Sequence, residues 1–231
     1  MSTPLNQLGV VHRTIQRADA SAVEKLSHLS VATIHEAMGR DGLMQPYMRS
    51  VWHGAKVCGT AVTVLLQPGD NWMLHVAAEQ IQPGDVVVAG CTDESTGGFF
   101  GDLLATSYKA RGARGLIIDG GVRDVDTLEE MGFPVFSHVV HARGTIKATL
   151  GSVNIPVVCG GAIVHPGDVV VGDSDGVVVV PAAVAAEVAA KAQAREDNET
   201  RKREIFASGV LGLDYYKMRE GLEKAGLKYI D

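Results

Sequence analysis

Between Gly97 and Asp124 the sequence gathers residue types that can do chemistry. Gly97-Gly98-Phe99-Phe100-Gly101-Asp102 leads into Leu103-Leu104-Ala105-Thr106-Ser107, a glycine-rich stretch feeding a helical one. The first N–H groups of a helix have no intrahelical acceptor and lie at the positive end of its dipole. Such an entry suits a carboxylate or a phosphate. Further on, the apolar Gly115-Leu116-Ile117-Ile118 is followed by Asp119-Gly120-Gly121-Val122-Arg123-Asp124. This reads as a buried strand and a second glycine-containing loop, at the strand's carboxyl end, where ligands collect in open α/β layers. Joined by one helix and one strand, the two loops can face one pocket. The first would bring amides and Asp102; the second would bring Arg123, Asp124 and, as a further candidate, Asp119. Each also has an architectural reading: Asp102 as a charge favoured by the helix dipole, Arg123 and Asp124 as a surface pair, Asp119 as a turn former.

Other ionisable residues are less pointed. None of the eight histidines forms an i, i+4 pair with a third ligand, which disfavours zinc. His75 lies one helical turn after Asn71, with packing its expected role; Asn71 follows a Pro-Gly-Asp turn and is a candidate substrate contact or helix cap. A Schiff-base mechanism would need a desolvated lysine. Lys109 and Lys147 are nearest the motif, but Lys109 reads as exposed beside Arg111, and Lys147 has no recognisable partner.

Positioning these groups requires an alternation of strands and helices. Residues 19–39 read as two helical pieces, with Asp19 a cap and Val23, Leu26 and Leu29 on one face, the second starting at Ser30 or Thr33 and stopping at Gly39. Pro-Gly-Asp occurs at 68–70, 83–85 and 166–168, and the last two open the same hexapeptide, Pro-Gly-Asp-Val-Val-Val. A tight turn followed by three valines predicts a buried strand, twice, and hints at two similar units packed together. Further strands are expected at 56–66, 115–118, 135–138, 154–158 and 176–180, with helices at 71–80, 100–111 and 127–131. Pro181 opens a long final helix to about Phe206, and a shorter one follows near 213–224. Fewer than eight βα units are present, so the expectation is a layered α/β or α+β domain and not a triosephosphate-isomerase-type barrel. Residues 1–181 are read as the catalytic domain and 182–231 as a helical extension.

Composition bounds the rest. Of 231 residues, 46% are hydrophobic, 21% charged and only 5% aromatic, so the core must use small and β-branched side chains. A net charge of −6, without a clustered basic face, argues against nucleic acid. The charged run from Arg195 to Glu204 alternates in sign, as a solvated helix face does. Cys58, Cys91 and Cys159 read as small apolar residues in a reducing compartment. No run approaches a membrane span, and no signal-like order opens the chain, so no membrane partner and a cytoplasmic location are expected.

The frame Gly101-Asp102-Leu103-Leu104-Ala105, then Gly115 to Asp124, closely resembles the 4-hydroxy-4-methyl-2-oxoglutarate / 4-carboxy-4-hydroxy-2-oxoadipate aldolases. These belong to the superfamily named after the regulator of ribonuclease activity A. The resemblance runs from about Val31 to Val180 and includes Gly59-Thr60-Ala61-Val62-Thr63-Val64, Gln67-Pro68-Gly69-Asp70-Asn71 and His165-Pro166-Gly167-Asp168. It implies a layered α/β/β swivelling-domain fold, assembled as a homotrimer or homohexamer, with the C-terminal extension at the subunit interface. It also implies Mg²⁺ or Mn²⁺ held by Asp124, Arg123 on the substrate's 2-oxo oxygen, and the amides of Gly101, Leu103 and Leu104 on its carboxylate. Asp102 would position a water. A carboxylate of the neighbouring subunit's final helix would reach the same site; Glu199 is the candidate, with Glu196, Asp197 and Glu204 on the same helix.

This set suits cleavage of a 4-hydroxy-2-oxo acid to pyruvate, with oxaloacetate decarboxylation as a side activity and aromatic-acid catabolism as the setting. Selectivity at C4 would fall to residues such as Arg143, Arg49 or the tail beyond 206. The rival expectation is a non-catalytic ribonuclease-regulator-like module; members of that kind resemble glycine where this chain has Asp102. A methyltransferase is disfavoured, because no Gly-x-Gly-x-Gly motif follows an early strand.

Overall fold

A computed structural model describes residues 8–231. It opens with α1 (Ala20–Ser27) and α2 (Val31–Ala37). Asp19 caps α1, its Oδ1 accepting the Ser21 and Ala22 N–H groups at 3.0 and 3.1 Å, and Ser30 caps α2 through the Thr33 N–H at 3.1 Å. The break expected between the two pieces is therefore real.

The first strands are β1 (Arg49–Ser50) and β2 (Val57–Leu66), followed by α3 (Trp72–Ala77), β3 (Asp85–Cys91) and β4 (Gly98–Phe100). Next come α4 (Asp102–Ala110), β5 (Gly115–Val122), α5 (Val125–Glu130) and β6 (Val135–Val140). The remaining strands are β7 (Ser152–Val153), β8 (Val157–Cys159), β9 (Ala162–Val164), β10 (Val169–Asp173) and β11 (Gly176–Val180). After a single 3₁₀ turn the chain ends in α6 (Ala185–Ala207), α7 (Gly212–Tyr215) and α8 (Arg219–Lys224).

One sheet runs β1-β6-β5-β3-β2-β10-β11, with β4 on β5 and β7 on β2. Its centre, β2-β3-β5-β6, is parallel, and β10, β11 and β1 are antiparallel additions. All ten residues of β2 are buried, as expected of a Val-rich strand covered on both faces. The path curls almost to closure: Leu43, before β1, bridges to Val178 of β11, and Arg49 Nη1 donates to the Asp175 carbonyl in the β10–β11 turn. On one face lie α3, α4 and α5; against the inner face lies the β8–β9 hairpin; α1, α2 and the first turns of α6 cover β10 and β11. The layered α/β/β expectation holds, with more curl than a flat layer.

The two Pro-Gly-Asp-Val-Val-Val segments do pack together, flanking β2. Thr60 pairs with Asp85 on one side and with Val169 on the other. The first lies parallel to β2 and the second antiparallel. Each aspartate closes its own turn: Asp85 Oδ2 accepts the Gln82 N–H and Asp168 Oδ2 the His165 N–H, both at 2.8 Å.

Three expected elements differ. The strand at 154–158 is interrupted, because Asn154 adopts a left-handed backbone (φ +59°) and separates β7 from β8. The helix near 213–224 is two short helices, broken at Lys217, also left-handed. The expected loop at Asp119-Gly120-Gly121 is instead the second half of β5.

The chain divides into two compact units, one reaching Ala192 and one from Gln193 to Asp231. Composition sets the boundary at Pro181, but Ala185, Val188, Ala189 and Ala192 bury into the cluster under α1 and α2. In the second unit, Phe206 meets the rings of Tyr215 and Tyr216 at 5.4 and 6.0 Å, and Lys202 sits over Tyr216. The three cysteines are free, with Cys58 and Cys159 buried and Cys91 half-buried, and burial raises the pKa of the Cys58 thiol to about 12. Among the described residues, no helix is long and apolar enough to cross a membrane.

Candidate active site

β4 and β5 run side by side, Gly98 opposite Gly121 and Phe100 opposite Val122. Two parallel strands that end together deliver their next residues to one place: Gly101-Asp102 from β4 and Arg123-Asp124 from β5. The Arg123 N–H donates to the Phe100 carbonyl at 2.9 Å and locks the two ends.

Such close approach explains the glycines. A Cβ at Gly121 would lie 2.5 Å from the Gly97 carbonyl oxygen, and one at Gly98 would lie 2.6 Å from that of His141. At Gly101 it would lie 2.1 Å from Asp124 Oδ2. These glycines let backbone meet backbone, or let a carboxylate nest against the chain; none of the three is a turn with positive φ.

Gly101 is the N-cap of α4 and offers no side chain to its amides. Asp124 Oδ2 accepts the Asp102 N–H at 3.2 Å, and Asp102 Oδ1 accepts the Leu103 N–H at 2.8 Å. The Leu104 N–H is left facing the cavity without a protein acceptor among the described residues. An incoming carboxylate thus finds one free amide and competes with Asp102 for a second. Arg123 lies alongside, its Nε 3.5 Å from Asp124 Oδ2 and its side chain 45% exposed.

Asp124 is unusual in its backbone. It caps α5 at φ +59°, in the left-handed region, yet its side chain makes no cap hydrogen bond and turns back toward α4 instead. A non-glycine residue held this way away from its ordinary local role is a pointer to function.

Two adjoining cavities meet at Asp102 and Arg123. The smaller, about 140 Å³, is walled by Asn71, His75, Leu104, Thr145 and Lys147. The larger, about 510 Å³ and open, holds Asp124, Asp126 and Thr127. Asp102, Asp124, Arg123, Gly101, Leu103, Leu104 and Asn71 are therefore brought together as expected. Asn71 sits at the N-cap of α3 but does not cap it; its Nδ2 donates to the Phe99 carbonyl at 2.8 Å, while Asp70 takes the capping role through the Trp72 N–H. Glu199 belongs to the second unit, on α6, where Arg195 Nε lies 2.9 Å away.

Other expectations are corrected. Asp119 points to the opposite face of β5, accepting from the Tyr47 hydroxyl at 3.1 Å and the Gly160 N–H at 2.9 Å, with His138 Nδ1 at 3.4 Å. Alternation along an extended strand puts Asp119 across the sheet from Gly120 and Val122. Its charge and the burial around it raise the pKa of Tyr47 to about 12. His75 lines the smaller cavity instead of serving only to pack; burial and then Lys147 lower its pKa. Lys109 donates to the Met131 carbonyl and is exposed, while Lys147 enters the cavity. Arg49 is committed to Asp175, and Arg143 contributes its carbonyl to the Gly98 N–H. Thr145 and Lys147 carry no local signal of a site, since they lie in an irregular segment placed only by long-range contacts.

A family described as RraA-like, Aldolase/RraA, matches residues 31–179. The chain belongs to the RraA-like family. Among RraA-like relatives, a Halalkalibacterium halodurans protein named, provisionally, as a 4-hydroxy-4-methyl-2-oxoglutarate aldolase is 30% identical over 194 residues, 83% of this chain and 91% of its own. The crystal structure of an uncharacterized Pseudomonas syringae protein superposes with a TM-score of 0.78 at 31% identity, covering 89% of this chain and 96% of that one. Streptomyces coelicolor RraAS2, described as an unusual member of the RNase ES inhibitor RraA family, matches with a TM-score of 0.72, also at 31% identity, over 81% and 99% of the two chains. The RraA-like family thus holds proteins named for a lyase activity and proteins named for inhibition, and the site must choose between them.

A hard divalent cation fits the residues present. No group of three or more His, Cys, Asp or Glu converges among the described residues, which excludes an all-protein cage there. Mg²⁺ instead keeps several waters and takes one or two carboxylates. Asp124 provides one in a cradle that any Cβ at Gly101 would fill, beside the open cavity shared with Asp102.

Proposed function

We propose that this chain is a divalent-metal-dependent aldolase that cleaves 4-hydroxy-2-oxo acids and releases pyruvate. The observation that carries the reading is Asp124: left-handed, uncapping and turned onto the amides of α4, with Arg123 and the Leu104 N–H beside it. A purely architectural Arg-Asp pair would not need that backbone.

In this reading the substrate's C1 carboxylate lies at the N-terminus of α4, drawn by the free amide and the helix dipole. Arg123, always charged, faces the 2-oxo oxygen and stabilises negative charge as it develops there. Breaking the C3–C4 bond leaves the electron pair on the pyruvate half as an enolate, while the 4-hydroxyl loses its proton and becomes a carbonyl. Asp102 holds the water that takes this proton and returns it to C3. Glu199 of a neighbouring copy joins it in a homotrimer or homohexamer. Mg²⁺ or Mn²⁺, held by Asp124, supplies Lewis-acid stabilisation of the same oxygen. Oxaloacetate would lose CO₂ through the same enolate. Named substrates of this class are 4-carboxy-4-hydroxy-2-oxoadipate and 4-hydroxy-4-methyl-2-oxoglutarate, which places the enzyme in aromatic-acid breakdown.

The test is pyruvate release coupled to lactate dehydrogenase, with Mg²⁺ and with excess chelator, for wild type and Asp124→Ala. Turnover lost in both the chelated and the variant samples supports the reading. Turnover that survives chelation and is trapped by borohydride on Lys147 replaces it with a Schiff base. No turnover on either substrate or on oxaloacetate leaves the inhibitor-like reading.

A further inference from the structure

The smaller cavity has a wall that the proposed cleavage leaves unused. It is made by the start of α3 and by residues 144–147, and it carries Asn71, His75, Thr145 and Lys147. The Phe99 carbonyl fixes the orientation of the Asn71 amide by accepting from Nδ2. Oδ1 is left as a buried acceptor without a partner, on a residue 8% exposed. It awaits a hydroxyl or N–H donor. Facing it, Lys147 has no carboxylate within ion-pairing distance among the described residues. One wall thus offers an acceptor for a hydroxyl and a cation for an acid.

Lys147 is not held there by regular structure, since residues 141–151 form neither helix nor strand. Asp70 holds it. This carboxylate is 2% exposed; Oδ2 accepts the Ala148 and Thr149 N–H groups at 2.6 and 2.7 Å, and Oδ1 caps α3 through the Trp72 N–H at 2.8 Å. On the other side of Lys147, the Ile146 N–H donates to the Gly69 carbonyl at 2.9 Å and the Ile146 carbonyl accepts from the Asn71 N–H at 3.0 Å. A single buried side chain therefore sets both the backbone around Lys147 and the helix that carries His75.

We propose that Lys147 is a specificity-determining residue that binds an acidic group carried beyond the scissile bond, with Asn71 Oδ1 taking a hydroxyl of the same molecule and Asp70 acting as the positioning residue. The preferred substrates are then hydroxy-oxo diacids, not monoacids. This rests on the aldolase reading, so one arm of the test needs no turnover.

Calorimetry compares 2-oxoglutarate, a diacid without a cleavable hydroxyl, with pyruvate, on the full-length protein with Mg²⁺. Lys147→Met is expected to weaken 2-oxoglutarate about tenfold, the scale of one charge-assisted contact, and to leave pyruvate within about twofold. In turnover, the same variant raises KM for 4-hydroxy-4-methyl-2-oxoglutarate and spares 4-hydroxy-2-oxopentanoate, a monoacid. Asp70→Asn reproduces the diacid-selective KM rise with kcat on the monoacid retained, a split that general loosening of the fold would not give. Equal losses on both acids, or none, overturn the subsite while leaving the aldolase standing. Lys147-dependent binding of 2-oxoglutarate without any pyruvate release overturns the aldolase and keeps the subsite. Inorganic phosphate that binds through Lys147 without competing with 2-oxoglutarate assigns the lysine to a free anion and overturns the proposal.

Discussion

At Asp124 the backbone and the side chain are both diverted from their ordinary local roles. A Cβ in the left-handed region costs about 1–2 kcal/mol, which glycine escapes. Asp124→Ala is therefore expected to be less stable than Asp124→Gly by about 1 kcal/mol, with both variants losing pyruvate release. Urea unfolding measures this, and equal midpoints would remove strain from the account of this residue. His75 supplies a second check. Burial first, then the Lys147 charge, holds its pKa below the ordinary value of 6.5. The ring is neutral at pH 7, and the stability this confers is present above 6.5 and lost as pH falls through the lowered value. Its NMR titration should sit below 6.5 and move up in Lys147→Met; an unmoved midpoint would place the lysine elsewhere. The Arg123-Asp124 pair and Asp102 were legible in the sequence because strand, glycine and helix entry are local signals. His75 and Lys147 were not, because what faces a cavity depends on segments 70 residues apart.

Helices α3 and α4 are tied by one buried contact, the Tyr108 hydroxyl donating to the Leu74 carbonyl at 2.8 Å. Tyr108→Phe should cost about 1 kcal/mol of stability, as one lost buried hydrogen bond does, without altering metal dependence. Asp70 acts over a longer range. Burial alone would raise its pKa, but the Trp72, Ala148 and Thr149 N–H groups outweigh it and the net shift is downward. Stability from the Asp70 carboxylate is thus present above its ordinary value of 3.8 and lost as pH falls through the lowered one. Asp70→Asn should destabilise by about 1–3 kcal/mol at neutral pH, with the gap to wild type closing as the pH falls below that range. A gap that persists at low pH would mean that packing, not charge, is what was lost. Elements themselves were largely readable, since runs such as Val86-Val87-Val88 and Val169-Val170-Val171 have little choice but a buried strand. The glycines of β5 misled, because Gly120 and Gly121 look like a turn and are in fact a demand for space from Phe99 and Gly97.

For the whole molecule, the sheet curls nearly shut, so ligands are confined to its edges and to the loops beside β4 and β5. Around that edge several apolar side chains are exposed, including Leu103 (78%), Ile146 (62%), Leu150 (54%) and Val140 (53%). A surface of that kind is uncommon on a monomer, and it agrees with the proposal of a homo-oligomer. Light scattering on the purified protein should give a mass of three or six chains. A monomer at micromolar concentration would sink both that proposal and the role given to Glu199. The layered architecture was legible from alternating element types; the closure was not, since no local pattern reports that Leu43 meets Val178.

Taken alone, the sequence determined the sheet's central strands, the capped helices and the pairing of a glycine-led helix start with Arg123-Asp124. Those follow from φ/ψ preferences, β-branching and orphan amides, all of which act over a few residues. Only the tertiary structure decided which way Asp119 points, that Asp70 braces the wall bearing Lys147, and that Asn71 keeps a buried oxygen free. Those outcomes depend on strand register and on hydrogen bonds between distant segments, and side-chain direction across a sheet reverses with every residue.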